Sequence, residues 1–221
     1  KGCRVFTGII EAVGHIVSTR TKQGDVRLRV NTANLDLSDV KLGDSIATNG
    51  VCLTVVACHA DGFEADVSRE SLAHTRIAQW AAGTKVNLEK AMLPSTRMGG
   101  HLVSGHVDGV GTVRSRDIDA RSVRFGIDIP AELQRYIAAK GSVTVDGVSL
   151  TTNALTATGF ELNIVPHTAE QTTLAQIQAG DQVHLEVDII ARYLEQLLSN
   201  KDNTKQSQMT PAFLAENGFW K

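Results

Sequence analysis

The sequence contains an internal repeat with a spacing of 97 residues, and this feature constrains the fold most strongly. Four matches share the spacing without a gap: residues 7–11 with 104–108, 49–54 with 146–151, 63–64 with 160–161, and 83–89 with 180–186. Several separated matches at one offset indicate a duplicated unit. A period this long predicts two tandem domains, because the units of solenoid proteins are only about 20–50 residues long.

The repeat also sets the domain boundaries that we predict. The first domain covers residues 1–97, the second covers 98–187, and residues 188–221 lie outside the repeat. Each half has roughly 100 residues, which is enough to bury a small core of its own.

The hydrophobic pattern inside each repeat indicates β-structure. Val26, Leu28 and Val30 alternate with polar residues, as do the equivalent positions 123–127. Such alternation is typical of strands with one buried face, and glycine-containing turns follow at 61–62 and 158–159. Short strands separated by such turns predict an all-β fold, either a small closed barrel or a sandwich. Helix signals are weak, at 33–35 and at 130–137.

The segment after the second repeat has a helical pattern. Apolar residues recur at a spacing of three or four from 189 to 198, which predicts an amphipathic helix. Its apolar face either packs on its own barrel or mediates self-association around a symmetry axis, and the spacing favours neither. A second, short helix is predicted over 211–217.

Composition excludes several classes of protein. The chain has 22 basic and 24 acidic residues, so it offers no strongly basic surface for nucleic acid or membranes. No apolar run of membrane-spanning length occurs, and the first residues do not resemble a signal peptide. Its three cysteines form no CxxC pair, which argues against a disulfide framework or structural zinc and favours a reducing, cytoplasmic setting.

The polar residues that differ between the repeats suggest where chemistry takes place. The differing pairs are Cys52 and Ser149, Asn49 and Asp146, Ile9 and His106, and Gly43 and Lys140. Two similar pockets with different polar groups would suit a reaction between two like molecules. Each residue also has a structural interpretation: a small buried cysteine, a serine or aspartate bonded to local backbone, or a solvated lysine or histidine.

Other common catalytic motifs are missing from the sequence. It has neither a P-loop nor a dinucleotide-binding glycine motif at the start of a helix. His101 and His106 are five residues apart, a spacing that suits neither one strand face nor one helix face, and no further ligand completes a set. We therefore predict no metal site.

Four segments resemble the riboflavin synthase family of the alpha-chain type. They are FTGIIE at 6–11, NGVCLT at 49–54, MGGHLVSGHVDG at 98–109 and DGVSLT at 146–151. Their order and spacing match the family, and the resemblance covers about residues 5–200.

The resemblance implies a fold and a reaction. The fold would be two tandem six-stranded Greek-key barrels followed by a C-terminal helix that helps to build a homotrimer. The reaction would be the dismutation of two 6,7-dimethyl-8-ribityllumazine molecules to riboflavin and 5-amino-6-(ribitylamino)uracil. No metal or redox cofactor is implied, the active site would lie between the barrels of neighbouring subunits, and lumazine synthase is a further implied partner.

The resemblance also implies site residues. The implied proton-transfer or adduct-stabilising residues are Ser149, Cys52, His106, Thr151 and Asp146. Those implied at the first substrate are Phe6, Gly8, Ile9, Cys52, Leu53, Thr54, Asp66, Val67, Ser68, Arg69, Glu70 and Ser71. Those implied at the second are Gly105, His106, Val107, Lys140, Ser149, Leu150, Thr151, Ile164, Val165, Pro166, His167, Thr168 and Ala169.

Three other functions are open to a chain with this pattern. A non-catalytic lumazine- or flavin-binding antenna protein would share the fold, but it would lose the polar residues of the second barrel. A flavin-dependent reductase would need a nucleotide-binding α/β domain, and no βαβ pattern is present. A purely structural trimeric protein would explain the duplication, but it would not explain why the two repeats differ at particular polar positions.

Overall fold

The structure, a computed structural model, describes residues 5–22 and 24–199. Cys3 and the helix predicted over 211–217 lie outside these residues. The first repeat forms six strands: β1 Ala12–Lys22, β2 Asp25–Asn31, β3 Ser45–Thr48, β4 Val51–His59, β5 Gly62–Val67 and β6 Lys85–Lys90. The second repeat forms six more: β7 Gly109–Asp119, β8 Ser122–Asp128, β9 Ser142–Val145, β10 Val148–Leu155, β11 Gly159–Ile164 and β12 Gln182–Val187.

Each set of six strands closes into an antiparallel barrel. The first has the order β1-β2-β5-β4-β3-β6, and the second repeats that order with β7-β8-β11-β10-β9-β12. The all-β prediction is therefore confirmed, and closure decides between the barrel and the sandwich that the strand pattern left open. A closed barrel leaves no unpaired sheet edge, which suits a domain of this size.

Equivalent β-bulges bend the two barrels. In β1 and β4 the register shifts between Ile16 and Ser18 and between Val55 and Ala57. In β7 and β10 it shifts at the equivalent positions, 113–115 and 152–154. A bulge increases the local twist and bends its strand, so these four positions help six short strands to close.

Each barrel has its own apolar core. Phe63 and Leu88 are completely buried in the first barrel, and so are their counterparts Phe160 and Leu185 in the second. A smaller cluster of Phe6, Ala47 and Val103 lies between the barrels. The cores follow from alternating apolar residues on the strands, as the sequence predicts.

The helices match the predictions less closely. The helix predicted at 33–35 is wrong: these residues form a turn, in which Ala33 has a positive φ of 51°. The segment at 130–137 contains a 3-10 helix over Ala131–Tyr136. Two short helices were not predicted: α1, Arg69–His74, follows β5, and α2, Pro166–Glu170, follows β11.

The amphipathic helix predicted after the second repeat is confirmed as α3, Ile189–Ser199. The chain divides into one compact unit through Ile189, which contains both barrels, and a second unit from Ile190 onwards. Among the described residues, no helix has the length and apolar character needed to cross a bilayer.

Candidate active site

Two loops cross between the barrels and build the centre of the candidate site. Phe6 and Val103 pair as an isolated antiparallel bridge, with N–H···O distances of 2.7 and 3.0 Å. Just beyond this bridge, the Ser149 amide donates to the Gly8 carbonyl, and the Cys52 amide donates to the Gly105 carbonyl, both at 2.8 Å. Each loop therefore lies against the start of a strand in the opposite barrel.

This crossing corrects the grouping of residues that the sequence suggested. Gly8 and Ile9 were expected beside Cys52, and Gly105 and His106 beside Ser149. The structure reverses the grouping: the Gly8 loop lies on Ser149, and the Gly105 loop lies on Cys52. The bridge between Phe6 and Val103 is the physical reason, because it carries each segment across the boundary before its barrel begins.

Glycine is required where the loops meet the strands. Gly8 has a φ of +76° and Gly105 a φ of +75°, a region that residues with a Cβ rarely adopt. A Cβ on Gly8 would lie 2.6 Å from the Ser149 Cβ, and one on Gly105 would lie 2.6 Å from the Cys52 Cβ. The two glycines therefore allow backbone to pack directly on these side chains.

A buried carboxylate holds each glycine loop. Glu89 in β6 accepts hydrogen bonds from the Thr7 amide and hydroxyl, both at 2.7 Å, and from the Gly8 amide at 2.9 Å. Glu186 in β12 accepts the equivalent bonds from Ser104, both at 2.6 Å, and from the Gly105 amide at 2.9 Å. Burial raises the pKa of Glu89 to about 6 and that of Glu186 to about 7, although these hydrogen bonds oppose the shift.

Ser149 has a histidine partner that the sequence analysis missed. Its Oγ lies 2.7 Å from Nδ1 of His101, which is only 9% exposed. Burial lowers the pKa of His101, while the nearby carboxylate of Asp188 opposes the shift. A serine bonded to a neutral imidazole can exchange a proton with it, so this pair is a candidate proton-transfer group.

His101 could not be found as this partner from local spacing. It precedes Ser149 by 48 residues, and the sequence offered it only as half of a rejected metal pair. The one available signal was the glycine pair before it. A Cβ on Gly100 would lie 2.8 Å from the Ser149 Oγ, so the backbone passes close to that hydroxyl.

Cys52 and Ser149 occupy equivalent positions near the starts of β4 and β10, and both are partly exposed. Leu53 and Thr54 follow Cys52 in the same strand, as Leu150 and Thr151 follow Ser149. His106 is exposed and directly follows Gly105, so the crossing associates it with the first barrel and not with Ser149. Among the residues that differ between the repeats, His106 therefore lies on the side of Cys52, and Ser149 lies on the other side.

The remaining predicted contacts lie where a strand runs into a short helix. Residues 66–71 span the end of β5 and the start of α1, where Ser68 caps the helix by accepting from the Ser71 amide. The Asp66 carboxylate accepts hydrogen bonds from Nε and Nη2 of Arg27, at 2.7 Å each. Residues 164–169 form the equivalent corner of the second barrel, and Pro166 begins α2.

Lys140 and Asp146 have separate environments. Lys140 is exposed, with a φ of +66°, in the turn before β9. Asp146 is buried between the barrels, where its carboxylate accepts the His184 amide at 2.8 Å and its carbonyl accepts the Asn87 side chain at 2.9 Å. Burial raises the pKa of Asp146. The Asn87 bond crosses between the barrels through the Asp146 backbone, whereas the carboxylate hydrogen bonds within its own barrel.

The match to known proteins follows the same duplication. The lumazine binding domain matches this chain twice, at residues 7–91 and 104–188. The riboflavin synthase of Photobacterium phosphoreum is 51% identical over 216 residues, covering 97% of this chain and 99% of that protein. The riboflavin synthase of Bacillus subtilis is 39% identical, covering 97% of this chain and all of that protein. The chain belongs to the riboflavin synthase family.

Solved structures agree on the fold of this riboflavin synthase family member. LumP complexed with riboflavin superposes with a TM-score of 0.76, and LumP complexed with 6,7-dimethyl-8-(1'-D-ribityl) lumazine with 0.74. In both comparisons the identity is 24%, and the match covers 82% of this chain and 98% of LumP. At that identity the likeness concerns the fold alone, whereas the family assignment depends on the lumazine binding domain and the closer relatives.

Proposed function

We propose that this chain is a riboflavin synthase. It converts two molecules of 6,7-dimethyl-8-ribityllumazine into riboflavin and 5-amino-6-(ribitylamino)uracil, as one lumazine transfers a four-carbon unit to the other. The enzyme is thus a transferase, and both reactants are the same compound. The 2.7 Å contact between Ser149 and His101 carries the proposal, because a protein that only bound lumazine would not need it.

The two lumazines occupy equivalent sites in different barrels. The first lies against Cys52, Leu53 and Thr54 with residues 66–71, and the crossing loop adds Gly105, His106 and Val107. The second lies against Ser149, Leu150 and Thr151 with Lys140 and residues 164–169, and Gly8 and Ile9 belong to its crossing loop. The buried Phe6 side chain packs beside Cys52 and Gly105 at the first site. Strand-end amides and carbonyls bind the heterocycle, while hydroxyls and charged groups bind the ribityl chain.

Positioning supplies most of the rate enhancement. The 7-methyl protons of a lumazine are acidic, so the ring itself stabilises the carbanion. Holding two heterocycles in register contributes about 7–11 kcal/mol at best, and proton transfer about 10²–10⁴-fold. We assign proton transfer and adduct stabilisation to Ser149 with His101, supported by Thr151, and to Cys52 with His106 at the first site. Asp146, the fifth residue that the resemblance implies for this chemistry, is buried, and its carboxylate accepts a hydrogen bond from the His184 amide.

A non-catalytic lumazine- or flavin-binding protein is the second candidate. The structures of LumP with lumazine and with riboflavin favour it, since they share the fold. The contact between Ser149 and His101 in the second barrel favours the enzyme, because an antenna protein needs only one equipped pocket.

We infer that the enzyme works as a cytoplasmic homotrimer, with its active site between barrels of neighbouring subunits. Two exposed apolar surfaces support this assembly. Ile9, Met98 and Leu102 are exposed around the crossing loops. On α3, the exposed apolar residues are Ile190, Tyr193, Leu194, Leu197 and Leu198. Lumazine synthase, which would supply the substrate, is the further partner that we infer.

A substrate-only assay tests the function. Purified protein is mixed with 6,7-dimethyl-8-ribityllumazine alone, and absorbance and fluorescence follow the formation of riboflavin. One riboflavin for every two lumazines consumed, with no effect of a chelator, is the expected result. Tight binding without product would reject the synthase in favour of the binding protein.

A further inference from the structure

We propose that Glu89 and Glu186 are positioning residues that act across the boundary between the barrels. Each carboxylate belongs to one barrel but holds the glycine loop that lines the substrate site of the other. The inference rests on the proposed function only in taking Cys52 and Ser149 as substrate-facing. The mechanical link from carboxylate to loop to strand is independent of the reaction.

The hydrogen-bond chain runs continuously from each carboxylate to the opposite site. Glu186 in β12 binds the Gly105 amide, and the Gly105 carbonyl binds the Cys52 amide at the start of β4. In the other direction, Glu89 binds the Gly8 amide, whose carbonyl binds the Ser149 amide. One glycine residue therefore separates each carboxylate from the strand that it positions.

A carboxylate suits this role better than any neutral side chain. The loop presents three donors in each repeat, an amide and hydroxyl from Thr7 or Ser104 and the glycine amide, and it presents no acceptor to the glutamate. Both glutamates are at least 96% buried. A buried charge is costly unless it is fully hydrogen bonded, so core packing alone would favour an apolar residue here.

The duplication separates this role from the chemistry. The glutamate, the hydroxyl residue and the glycine occupy equivalent positions in both repeats, whereas the residue that each loop covers differs, Cys52 in one and Ser149 in the other. The loop support is therefore the same in the two sites although their reactive groups are not. This is the pattern expected of a positioning device.

The proposal predicts reciprocal effects of two matched variants. In Glu186→Gln the new amide N–H₂ is a donor that faces another donor in the loop, so at least one hydrogen bond is lost. The Gly105 loop should therefore loosen and uncover Cys52 in the other barrel. Glu89→Gln should loosen the Gly8 loop and expose the Ser149 amide instead. Each variant is the control for the other, because both remove one buried charge from an equivalent strand.

Two measurements without substrate test this. Alkylation of Cys52 is followed by peptide-resolved mass spectrometry, with the exposed Cys58 as an internal reference. Hydrogen exchange is followed for peptides containing the amides of Cys52 and Ser149. The measurements are made at about pH 8, above the pKa of both glutamates, so that the parent carboxylates are ionised. Losing hydrogen bonds to a charged group should then raise the alkylation and exchange rates about tenfold or more: at Cys52 only in Glu186→Gln, and at Ser149 only in Glu89→Gln.

Equal acceleration at both sites in both variants would overturn the proposal, since it would indicate general destabilisation. No acceleration in either variant would also overturn it. If a glutamine variant does not fold, Glu186→Asp and Glu89→Asp keep the charge but shorten its reach, and the same reciprocal pattern is required. In the lumazine assay, both variants should have a lower kcat than the parent. Their unfolding midpoints should change little, so that the loss of kcat does not reflect a loss of folded protein. A protein inactive from the start would refute the proposed function but leave the exchange test intact.

Discussion

Single residues at the contact between the barrels distinguish the two repeats. His184 and Asn87 occupy equivalent positions in the two repeats. Each side chain bonds to a backbone carbonyl in the turn that joins two strands of the other barrel, Asn87 to Asp146 and His184 to Asn49. The Arg76 amide donates to Nε2 of His184 at 2.7 Å, so Nε2 is unprotonated and Nδ1 donates to the Asn49 carbonyl at 2.8 Å. The imidazole is therefore neutral with a fixed tautomer, and burial lowers its pKa.

This environment predicts that stability depends on pH. The unfolded chain protonates His184 below its ordinary pKa of 6.5, whereas the folded chain resists protonation, so the stabilising contribution of this residue is lost as the pH falls through that value. The raised pKa values of Glu89 and Glu186 act in the opposite direction, so the contribution of His184 is read from the difference between the pH profiles of the parent and of His184→Asn. His184→Asn, which copies the residue at 87, should weaken this loss. Urea unfolding midpoints between about pH 7 and pH 5 measure it. His15→Asn on the exposed face of β1 is the control, and an unchanged pH slope in His184→Asn would contradict the assignment.

Ser149 and His101 are expected to act as a pair. Ser149→Ala and His101→Gln should each lower kcat by roughly 10²–10⁴-fold, because each removes one member of the proton-transfer pair. The double variant should be little worse than either single one. Lumazine binding, measured by fluorescence, should change much less than kcat. Cys58→Ser, an exposed cysteine late in β4, is the control, and additive losses in the double variant would contradict a shared role.

Among the strands and loops, the contact between the barrels requires that the backbone of each glycine loop approach a strand of the opposite barrel closely. The four matched bulges bend β1, β4, β7 and β10, and the two glycine loops then fill the starts of β4 and β10. A loop with a side chain at that position would collide with the strand. The element geometry therefore requires glycine for two reasons, its positive φ and the absence of a Cβ.

The two reasons can be separated by substitution. Gly105→Ala places a Cβ against Cys52 and strains the backbone, whereas Gly83→Ala strains a similar φ of +90° with open space around it. Backbone strain alone costs about 1 kcal/mol, and the clash should add about 1–3 kcal/mol. Chemical denaturation of both variants measures the difference. Equal destabilisation would indicate that the close approach to Cys52 is unimportant.

At the scale of the molecule, the two barrels form one compact unit because their contacts are reciprocal. The crossing loops, the bonds of Asn87 and His184, and the close approach of Gly50 to Gly147 all occur in equivalent pairs. The same arrangement gives each site residues from both halves of the chain. The duplication thus produced two barrels that form one compact unit.

The assembly prediction also belongs to this scale. A chain ending after Asp188 keeps both barrels and the acidic neighbour of His101 but removes α3. We expect light scattering to give three times the chain mass of 23.7 kDa for the full chain and the monomer mass for the shortened one. Leu197→Ala is a milder variant that should weaken the trimer without removing the helix. A trimer that persists after truncation would exclude α3 as the assembly element.

The duplication, the all-β class and helix α3 follow from the amino-acid sequence alone, because they depend on periodic patterns and on repeated spacing. Alternating Val26, Leu28 and Val30 require one buried strand face wherever the strand lies. The sequence also marked Cys52 and Ser149, since the repeat sets them side by side as the residues that differ.

Packing in three dimensions sets which loop lies on which barrel and which residue contacts Ser149. The Phe6–Val103 bridge reverses the expected grouping, and His101 reaches Ser149 across 48 residues. The contacts of Asp146 likewise involve residues distant in sequence, Asn87 in β6 of the first barrel and His184 in β12 of the second. No local pattern records such contacts, because barrel closure and the packing of the two barrels bring together residues whose spacing along the chain has no period.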